Sequence, residues 1–106
     1  MAMMEVSVVP VGTPTPSVSQ YVAGAIQVLR GEPDVKYELT AMGTIVEGDL
    51  ERLLALVGRM HRSAFEAGVK RVVTTVKIDE RQDKPLTISG KVNAVRRRLD
   101  TPGGGH

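Results

Sequence analysis

Cysteine is absent from the 106-residue sequence, which excludes a disulfide framework and any thiolate metal site. Aromatic residues are scarce too, with one Phe, two Tyr and no Trp. A hydrophobic core therefore has to be built from Val, Leu, Ile, Ala and Met. The same shortage argues against a nucleic-acid-binding surface, because such surfaces stack bases on aromatic side chains.

Long apolar runs are also missing, since no stretch approaches the roughly 18–20 apolar residues of a membrane span. The first residues, Met1 to Glu5, have neither the basic region nor the apolar stretch of a signal peptide. We therefore expect a soluble cytoplasmic protein with no membrane partner. Its length fits a single domain over residues 1–100, followed by a flexible tail over residues 101–106 that contains three glycines.

The familiar catalytic sets are not present. Only two histidines occur, and His61 has no second ligand one helical turn away. The glycine of Gly12–Pro14 lacks the lysine and the spacing of a phosphate-binding loop. No nucleophile can be paired with a base from these residues, so we expect a non-catalytic protein with no metal and no cofactor.

Periodicity predicts the order of elements. Met3–Val11 is apolar on both faces, which is typical of a central strand, and Pro10 is expected to end its regular pairing. Ser17, with Gln20 three residues on, predicts a capped helix that ends near Gly31. Val35–Thr40 alternates as a strand and is expected to form a hairpin with the segment Ala41–Asp49.

A second helix is predicted after Asp49, which is expected to cap it. Its apolar face is predicted to comprise Leu50, Leu53, Leu54, Val57, Met60, His61, Ala64 and Phe65. A last strand, Val69–Asp79, and a short third helix, Ile88–Leu99, follow.

This βαββαβ order predicts an α+β, ferredoxin-like fold: an antiparallel four-stranded sheet with both main helices on one face, plus a short C-terminal helix. The other face of the sheet would remain apolar, through residues such as Val9, Met42, Val46 and Val73. An uncovered apolar face is typical of an interface, so a homo-oligomer is expected, either a dimer or a dimer of dimers packed sheet to sheet.

The segment Ala41–Asp49 carries the most unusual polar residues. We expect the first and third strands of this fold to run parallel and adjacent, so that Thr13–Ser19 and Thr44–Glu47 are neighbours at one end of the sheet. Taken singly, Ser17 and Asp49 are helix caps and Arg81–Asp83 is a solvated pair. Glu47 is harder to explain structurally, because Asp49 already fills the cap position.

Five stretches together resemble a known family: Val9–Thr13, Ser17–Val22, Met42–Gly48, Val73–Arg81 and Lys91–Val92. They look like the small archaeal and bacterial thiamine-binding proteins of ferredoxin-like fold, long carried as an uncharacterised family. The resemblance spans about Met3 to Leu99. It implies tetramers built from two dimers, and thiamine or its hydroxymethylpyrimidine moiety as ligand.

Matching the family motifs suggests eight ligand-binding residues, six of them with a role. A carboxylate of Glu47 or Asp79 would offset the thiazolium charge, and hydroxyls of Ser19 and Thr44 would bond the aminopyrimidine. Met42 and Tyr21 would supply apolar contact. The full set of expected ligand-binding residues is Ser17, Ser19, Tyr21, Met42, Thr44, Glu47, Asp79 and Arg81. The alternative interpretation is an interaction or sensor module that binds a protein or a regulatory metabolite through the uncovered sheet.

Overall fold

Seven elements follow one another in the order βαββαβα in the computed structural model, which describes residues 1–100. They are β1 (Ala2–Val11), α1 (Ser19–Arg30), β2 (Lys36–Leu39), β3 (Thr44–Gly48), α2 (Leu50–Glu66), β4 (Arg71–Glu80) and α3 (Ile88–Asp100). The predicted ferredoxin-like α+β fold is confirmed. The tail predicted over residues 101–106 lies outside the described residues.

The four strands form one sheet in the order β2-β3-β1-β4, with every neighbouring pair antiparallel. β1 is central, as its apolar character on both faces predicted. The expectation that the first and third strands run parallel is wrong: Ala2 pairs with Gly48 and Val6 with Thr44. The crossover through α1 makes β2 run in the same direction as β1. β3 then returns from β2 through a hairpin, so it runs opposite to β1.

The core lies between the sheet and the helices α1 and α2. Alternate residues of β1 point toward the helices, and Met4 and Val6 are almost fully buried there. Val46 of β3 is directly opposite Met4, so it is buried on the same face. The buried core cluster comprises Ala2, Met4, Val6, Val8, Tyr21, Ala25, Leu29, Val35, Val46, Leu53, Leu56, Met60 and Ala64.

The face of the sheet opposite α1 and α2 is covered only at the end where Met3 and Glu47 are buried and Glu47 bonds Ile88. The rest of this face is open, and it is apolar only in part. Val9 and Val73, paired across β1 and β4, are exposed there as predicted. Val46 was expected on this face but is buried under the helices, and Met42 lies in the hairpin turn. Glu5 and Lys77 form a cross-strand ion pair on the same face, with Nζ and Oε1 3.7 Å apart.

Three local expectations differ from the structure. α1 begins at Ser19 with Val18 at the N-cap, and no side chain caps it, so the predicted Ser17–Gln20 box does not form. Asp49 does occupy the N-cap of α2, yet its side chain makes no capping hydrogen bond. Pro10 does not end the pairing of β1, which continues through Val11 opposite Arg71. Proline is tolerated because Pro10 lies beyond the β3 register and has a strand on one side only.

The apolar face of α2 was predicted too wide. Leu56 is buried although it was not expected to be, whereas Leu54 and Phe65 are exposed. None of the side chains of α3 is buried, and Val92, Val95 and Leu99 are exposed on it. No helix in residues 1–100 is long and apolar enough to cross a lipid bilayer.

Gly48, at the end of β3, has no room for a side chain. A Cβ at this position would lie 2.9 Å from Cγ1 of Val35, a stiff β-branched side chain that is itself buried. We expect Gly48→Ala to lower the free energy of unfolding by about 1–3 kcal/mol through overpacking, measured by chemical denaturation. Gly24→Ala is the matched control, because nothing lies within 4 Å of its Cβ position in α1. That variant should gain about 0.5–1 kcal/mol. Equal effects of the two substitutions would contradict the packing argument.

An ion-pair cluster ties the loop after α1 to the side of α2. Arg52 bonds both Glu32 and Asp34, and Arg59 donates to Glu32 with Nη1 and Oε1 2.8 Å apart. Hydrogen bonds from Arg59 and Arg52 lower the pKa of Glu32, and one from Arg52 lowers that of Asp34. Their ordinary values are 4.5 and 3.8.

A carboxylate whose pKa is lower in the folded protein than in the unfolded chain stabilises the fold at pH values above its pKa in the unfolded chain. This stabilisation is lost as the pH falls through its pKa in the folded protein. We therefore expect stability to decrease below about pH 4.5. Arg52→Gln should make that decrease shallower in urea titrations at stepped pH, whereas Lys36→Gln, an exposed change outside the cluster, should not. An unchanged slope in Arg52→Gln would show that the cluster contributes nothing.

Candidate functional site

A cavity opens where the β2–β3 hairpin leaves the sheet. The register of β3 with β1 ends at the Val6–Thr44 pair, so Ser7, Val8 and Val9 pair with β4 alone. In the described chain, the backbone groups of these residues that point away from β4 have no strand to bond. Such groups are available to hydrogen-bond a ligand.

Helix α1 and the hairpin close the other sides of this cavity, whose volume is about 220 Å³. Most of its wall is apolar, and no charged residue lines it. We call it the hairpin cavity; it is lined by Val6, Ser7, Val8, Val9, Val18, Val22, Ala25, Leu39, Thr40, Ala41, Met42, Gly43, Thr44 and Met60.

The hydroxyl of Thr44 is the most informative polar group in the hairpin cavity. Thr44 is only 4% exposed, and its side chain makes no hydrogen bond within residues 1–100. No fully buried side-chain oxygen in that part of the chain lacks a partner, so the remaining accessible surface of Thr44 includes its Oγ1. A buried residue that keeps a free hydroxyl toward a cavity can bond a ligand without losing an existing interaction.

Thr40 holds the turn that forms the mouth of the cavity. Its Oγ1 donates to the carbonyl of Gly43 at 2.7 Å and accepts from the N–H of Gly43 at 3.2 Å. The backbone N–H of Thr40 bonds the same carbonyl at 2.8 Å. This bonding fixes the turn and leaves Met42, 87% exposed, beside the opening.

Glu47 belongs to a different site, on the opposite face of the sheet. Glu47 is three positions beyond Thr44 along β3, an odd step, so the two side chains point to opposite faces. Glu47 is 6% exposed, and its Oε2 accepts the N–H of Ile88 at 2.6 Å, which binds the first turn of α3. Asp79 lies on the same face, with Met3 between them in the sheet, and accepts from Nζ of Lys91 at 2.6 Å. Both carboxylates therefore hold α3.

The eight predicted ligand residues are thus divided among separate places. Thr44 and Met42 line the hairpin cavity, while Ser19 lies in a shallower groove between α1 and β2. Tyr21 is buried in the core, and Ser17 is exposed in the loop before α1. Arg81 pairs with Asp83, which lowers the pKa of that carboxyl, as the solvated-pair interpretation expected.

Sequence reasoning missed Ser7, Thr40, Val18 and Met60 as cavity residues. Thr40 ends an alternating strand just before a turn, and a threonine at such a position commonly bonds the turn backbone through its hydroxyl. That pattern could have identified Thr40 from the sequence. The others could not be found from local pattern, because they lie in β1, before α1 and in α2, and only the folded chain brings these segments together.

The family model described as "Thiamine-binding protein" matches residues 4–96 of this sequence. The chain belongs to the thiamine-binding protein family. The match includes the hairpin cavity and both carboxylates that hold α3.

Relatives of this thiamine-binding family protein occur in bacteria and archaea. UPF0045 protein YqgV of Bacillus subtilis is 42% identical over 102 residues, covering 93% of this chain and 98% of the relative. The crystal structure of the Methanocaldococcus jannaschii protein MJ1052 superposes with a TM-score of 0.81 at 44% identity, covering 90% of this chain and 95% of that one. A Thermotoga maritima structure, described as a candidate thiamine biosynthesis/salvage protein, has a TM-score of 0.74 at 27% identity, with coverage of 90% and 98%.

The bond from Glu47 to Ile88 gives a testable role for a buried carboxylate. We expect Glu47→Ala to raise hydrogen exchange at the first amides of α3, because their acceptor is removed. Glu47→Gln, which keeps an acceptor oxygen, should raise exchange less. Amides in the middle of α2 serve as the internal reference. Equal protection of α3 in all three proteins would show that Glu47 does not hold the helix.

Proposed function

We propose that this protein binds thiamine or its hydroxymethylpyrimidine moiety in the hairpin cavity, without chemically changing the ligand. The observation that carries the proposal is the unpaired hydroxyl of Thr44, a residue that lines an uncharged cavity beside unpaired strand backbone. The family description and the Thermotoga relative support the identity of the ligand.

The chemistry of an aminopyrimidine suits this cavity. Its flat, neutral ring fits between apolar walls, and its ring nitrogens and exocyclic amine need a few hydrogen-bond partners at the edge. Thr44 Oγ1 and the free backbone groups of Ser7–Val9 supply both donors and acceptors. A charged thiazolium would be disfavoured inside the cavity, so it would remain at the mouth.

Glu5, on the sheet face opposite α1 and α2, is a carboxylate close to Gly43, which lines the cavity. The Cγ of Glu5 lies 3.5 Å from the position that a Cβ on Gly43 would occupy. The Glu5 side chain is half exposed. In this proposal Glu5 offsets the thiazolium charge, a role that the sequence suggested for Glu47 or Asp79. Those two carboxylates are instead bonded to α3.

A binding role fits the placement of the titratable groups. His61 Nδ1 lies 2.7 Å from Oγ1 of Thr74, on the contact between α2 and β4, and it does not line the cavity. We propose a protein of the cytoplasm that sequesters or delivers the vitamin as a homo-oligomer. The exposed stripe of Val92, Val95 and Leu99 on α3 supports an oligomer, since apolar side chains in such a row are usually covered.

Thermal shift with ligand tests the proposal. Micromolar thiamine or hydroxymethylpyrimidine should raise Tm, because a ligand that binds the folded state alone stabilises it by mass action. Thr44→Val, which preserves shape, should weaken binding by about 2–12-fold, the equivalent of one hydrogen bond of about 0.5–1.5 kcal/mol.

Glu47→Gln is the comparison variant. Its affinity should stay within about twofold of the parent, since Glu47 faces away from the cavity. The reverse result, with Glu47→Gln impaired and Thr44→Val unaffected, would move the site to the opposite face. No shift with either ligand up to millimolar concentration would refute thiamine binding itself.

A further inference from the structure

The β2–β3 hairpin shows which way the backbone of β1 faces. The N–H of Thr40 donates to the carbonyl of Gly43 at 2.8 Å, so the backbone groups of Gly43 face β2. Successive residues of a strand turn their backbone groups to alternate sides, so those of Thr44 face β1. Thr44 lies directly opposite Val6, and the backbone groups of Val6 therefore face Thr44 in return. The carbonyl oxygen of Val6 agrees, since it lies 3.1 Å from the position that a Cβ on Gly43 would occupy.

The same alternation continues along β1 beyond Val6. The backbone groups of Ser7 and Val9 face β4. Those of Val8 and Pro10 face the side on which β3 has ended. Pro10 agrees with this assignment, because a proline has no N–H and yet the pairing of β1 with β4 continues past it. Observations at both ends of the segment thus give the same direction.

Val8 is left with one donor and one acceptor that face the hairpin cavity unpaired. The register of β3 stops at Thr44, opposite Val6, so no strand lies beside Val8 on this side. Neither its N–H nor its carbonyl makes a hydrogen bond within residues 1–100. Yet Val8 is only 8% exposed, and it lines the cavity. Buried backbone groups are nearly always paired, so this pair marks a place where a partner outside the chain belongs.

The two backbone groups of Val8 form a fixed pattern. The N–H and the carbonyl of one strand residue lie side by side and point in the same direction. The N–H can only donate, and the carbonyl can only accept. A partner that satisfies both must carry an acceptor next to a donor on one edge, as the facing residue of an antiparallel strand does. The hydroxyl of Thr44 has no such preference, because it can donate or accept.

We infer that the N–H and carbonyl of Val8 bind the edge of a planar heterocycle in which a ring nitrogen stands next to an exocyclic amine. The ring nitrogen accepts from the N–H, and the amine donates to the carbonyl. The pyrimidine ring of hydroxymethylpyrimidine has this edge, so the inference rests on the proposed function and assigns the residue that recognises the ring. Thr44 is the diagonal neighbour of Val8 on the same face of the sheet, about 7–8 Å away, and contacts the same ring.

This pairing makes the hairpin cavity selective for amino-substituted rings. A ring of the same shape without the amine would cover the carbonyl of Val8 and leave it unpaired, away from water. Sites that bond a polar group of a ligand discriminate strongly against an analogue that lacks it, whereas apolar walls discriminate weakly between rings of similar size. The walls of the cavity therefore supply affinity for a flat ring, and Val8 supplies the choice among such rings.

Amide hydrogen exchange on the intact protein tests the assignment directly. In the free protein the Val8 amide should exchange about tenfold or more faster than those of Ser7 and Val9, which are bonded to β4. Saturating hydroxymethylpyrimidine should slow exchange at Val8 by about tenfold, with Ser7 and Val9 as internal references. Equal protection of all three amides in the free protein would overturn the direction assigned to the backbone of β1.

Thermal shift on the same samples separates this inference from the proposed function. A raised Tm with unchanged exchange at Val8 would overturn the role of Val8 and leave ligand binding intact. No change in Tm at millimolar hydroxymethylpyrimidine would refute the binding itself, and the inference with it.

A matched pair of ligands measures the selectivity. The analogue of hydroxymethylpyrimidine that lacks only the amine should bind about tenfold more weakly than hydroxymethylpyrimidine itself, because the carbonyl of Val8 loses its donor. Calorimetry gives the two dissociation constants. Equal values would show that Val8 does not recognise the amine.

Val8→Pro removes the backbone donor, and Val8→Ala is the matched control that loses side-chain contacts but keeps the N–H. Pro10 shows that a proline facing this side is compatible with pairing to β4. Affinity for hydroxymethylpyrimidine should be about fivefold lower in Val8→Pro than in Val8→Ala. Equal affinities in the two folded variants, checked by melting curves, would overturn the role of the N–H. If Val8→Pro does not fold, exchange at Val8 and the ligand pair decide the question.

Discussion

The antiparallel register of β1 with β3 and β4 is the constraint on which the rest of the molecule depends. It sets the parity by which Met4, Val6 and Val46 turn toward the helices, and by which Met3, Glu47 and Asp79 turn away. A slip of one residue would exchange these two sets, placing carboxylates in the core and valines in water. Burial of the apolar set therefore fixes the register, and the register in turn places every polar group discussed above.

The hairpin cavity is a consequence of unequal strand lengths in this register. β3 has five residues and β1 has ten, so half of β1 extends past β3 beneath the hairpin. Thr40 then tightens the turn, and α1 closes the side. Unpaired backbone, the free hydroxyl of Thr44 and apolar walls are thereby brought together without any charged group, an environment suited to a neutral heterocycle.

Two carboxylates, which the family motifs suggested as ligand-binding groups, stabilise the position of α3 in this structure. Glu47 accepts from the first turn of α3 and Asp79 pairs with Lys91, so together they fasten a helix that buries none of its own side chains. Their ligand roles, like those of Ser17, Ser19, Tyr21 and Arg81, stay predictions. α3 is held at its start, by these polar contacts and by the buried Leu86 just before it, whereas Val92, Val95 and Leu99 are exposed along the helix.

The sequence by itself determined the order of elements, the central position of β1 and the ferredoxin-like fold, because hydrophobic periodicity is a local property of the chain. It also indicated the family, and it pointed to Thr44 and Met42. It could not determine which of Thr44 and Glu47 faces a pocket, nor that Ser7 and Met60 share one with Thr44. Those facts depend on strand direction, register and unequal strand length, which arise from packing between distant segments. Only the tertiary structure could decide them, since burying the Met4–Val6–Val46 face selects one register among several that local propensity allows equally well.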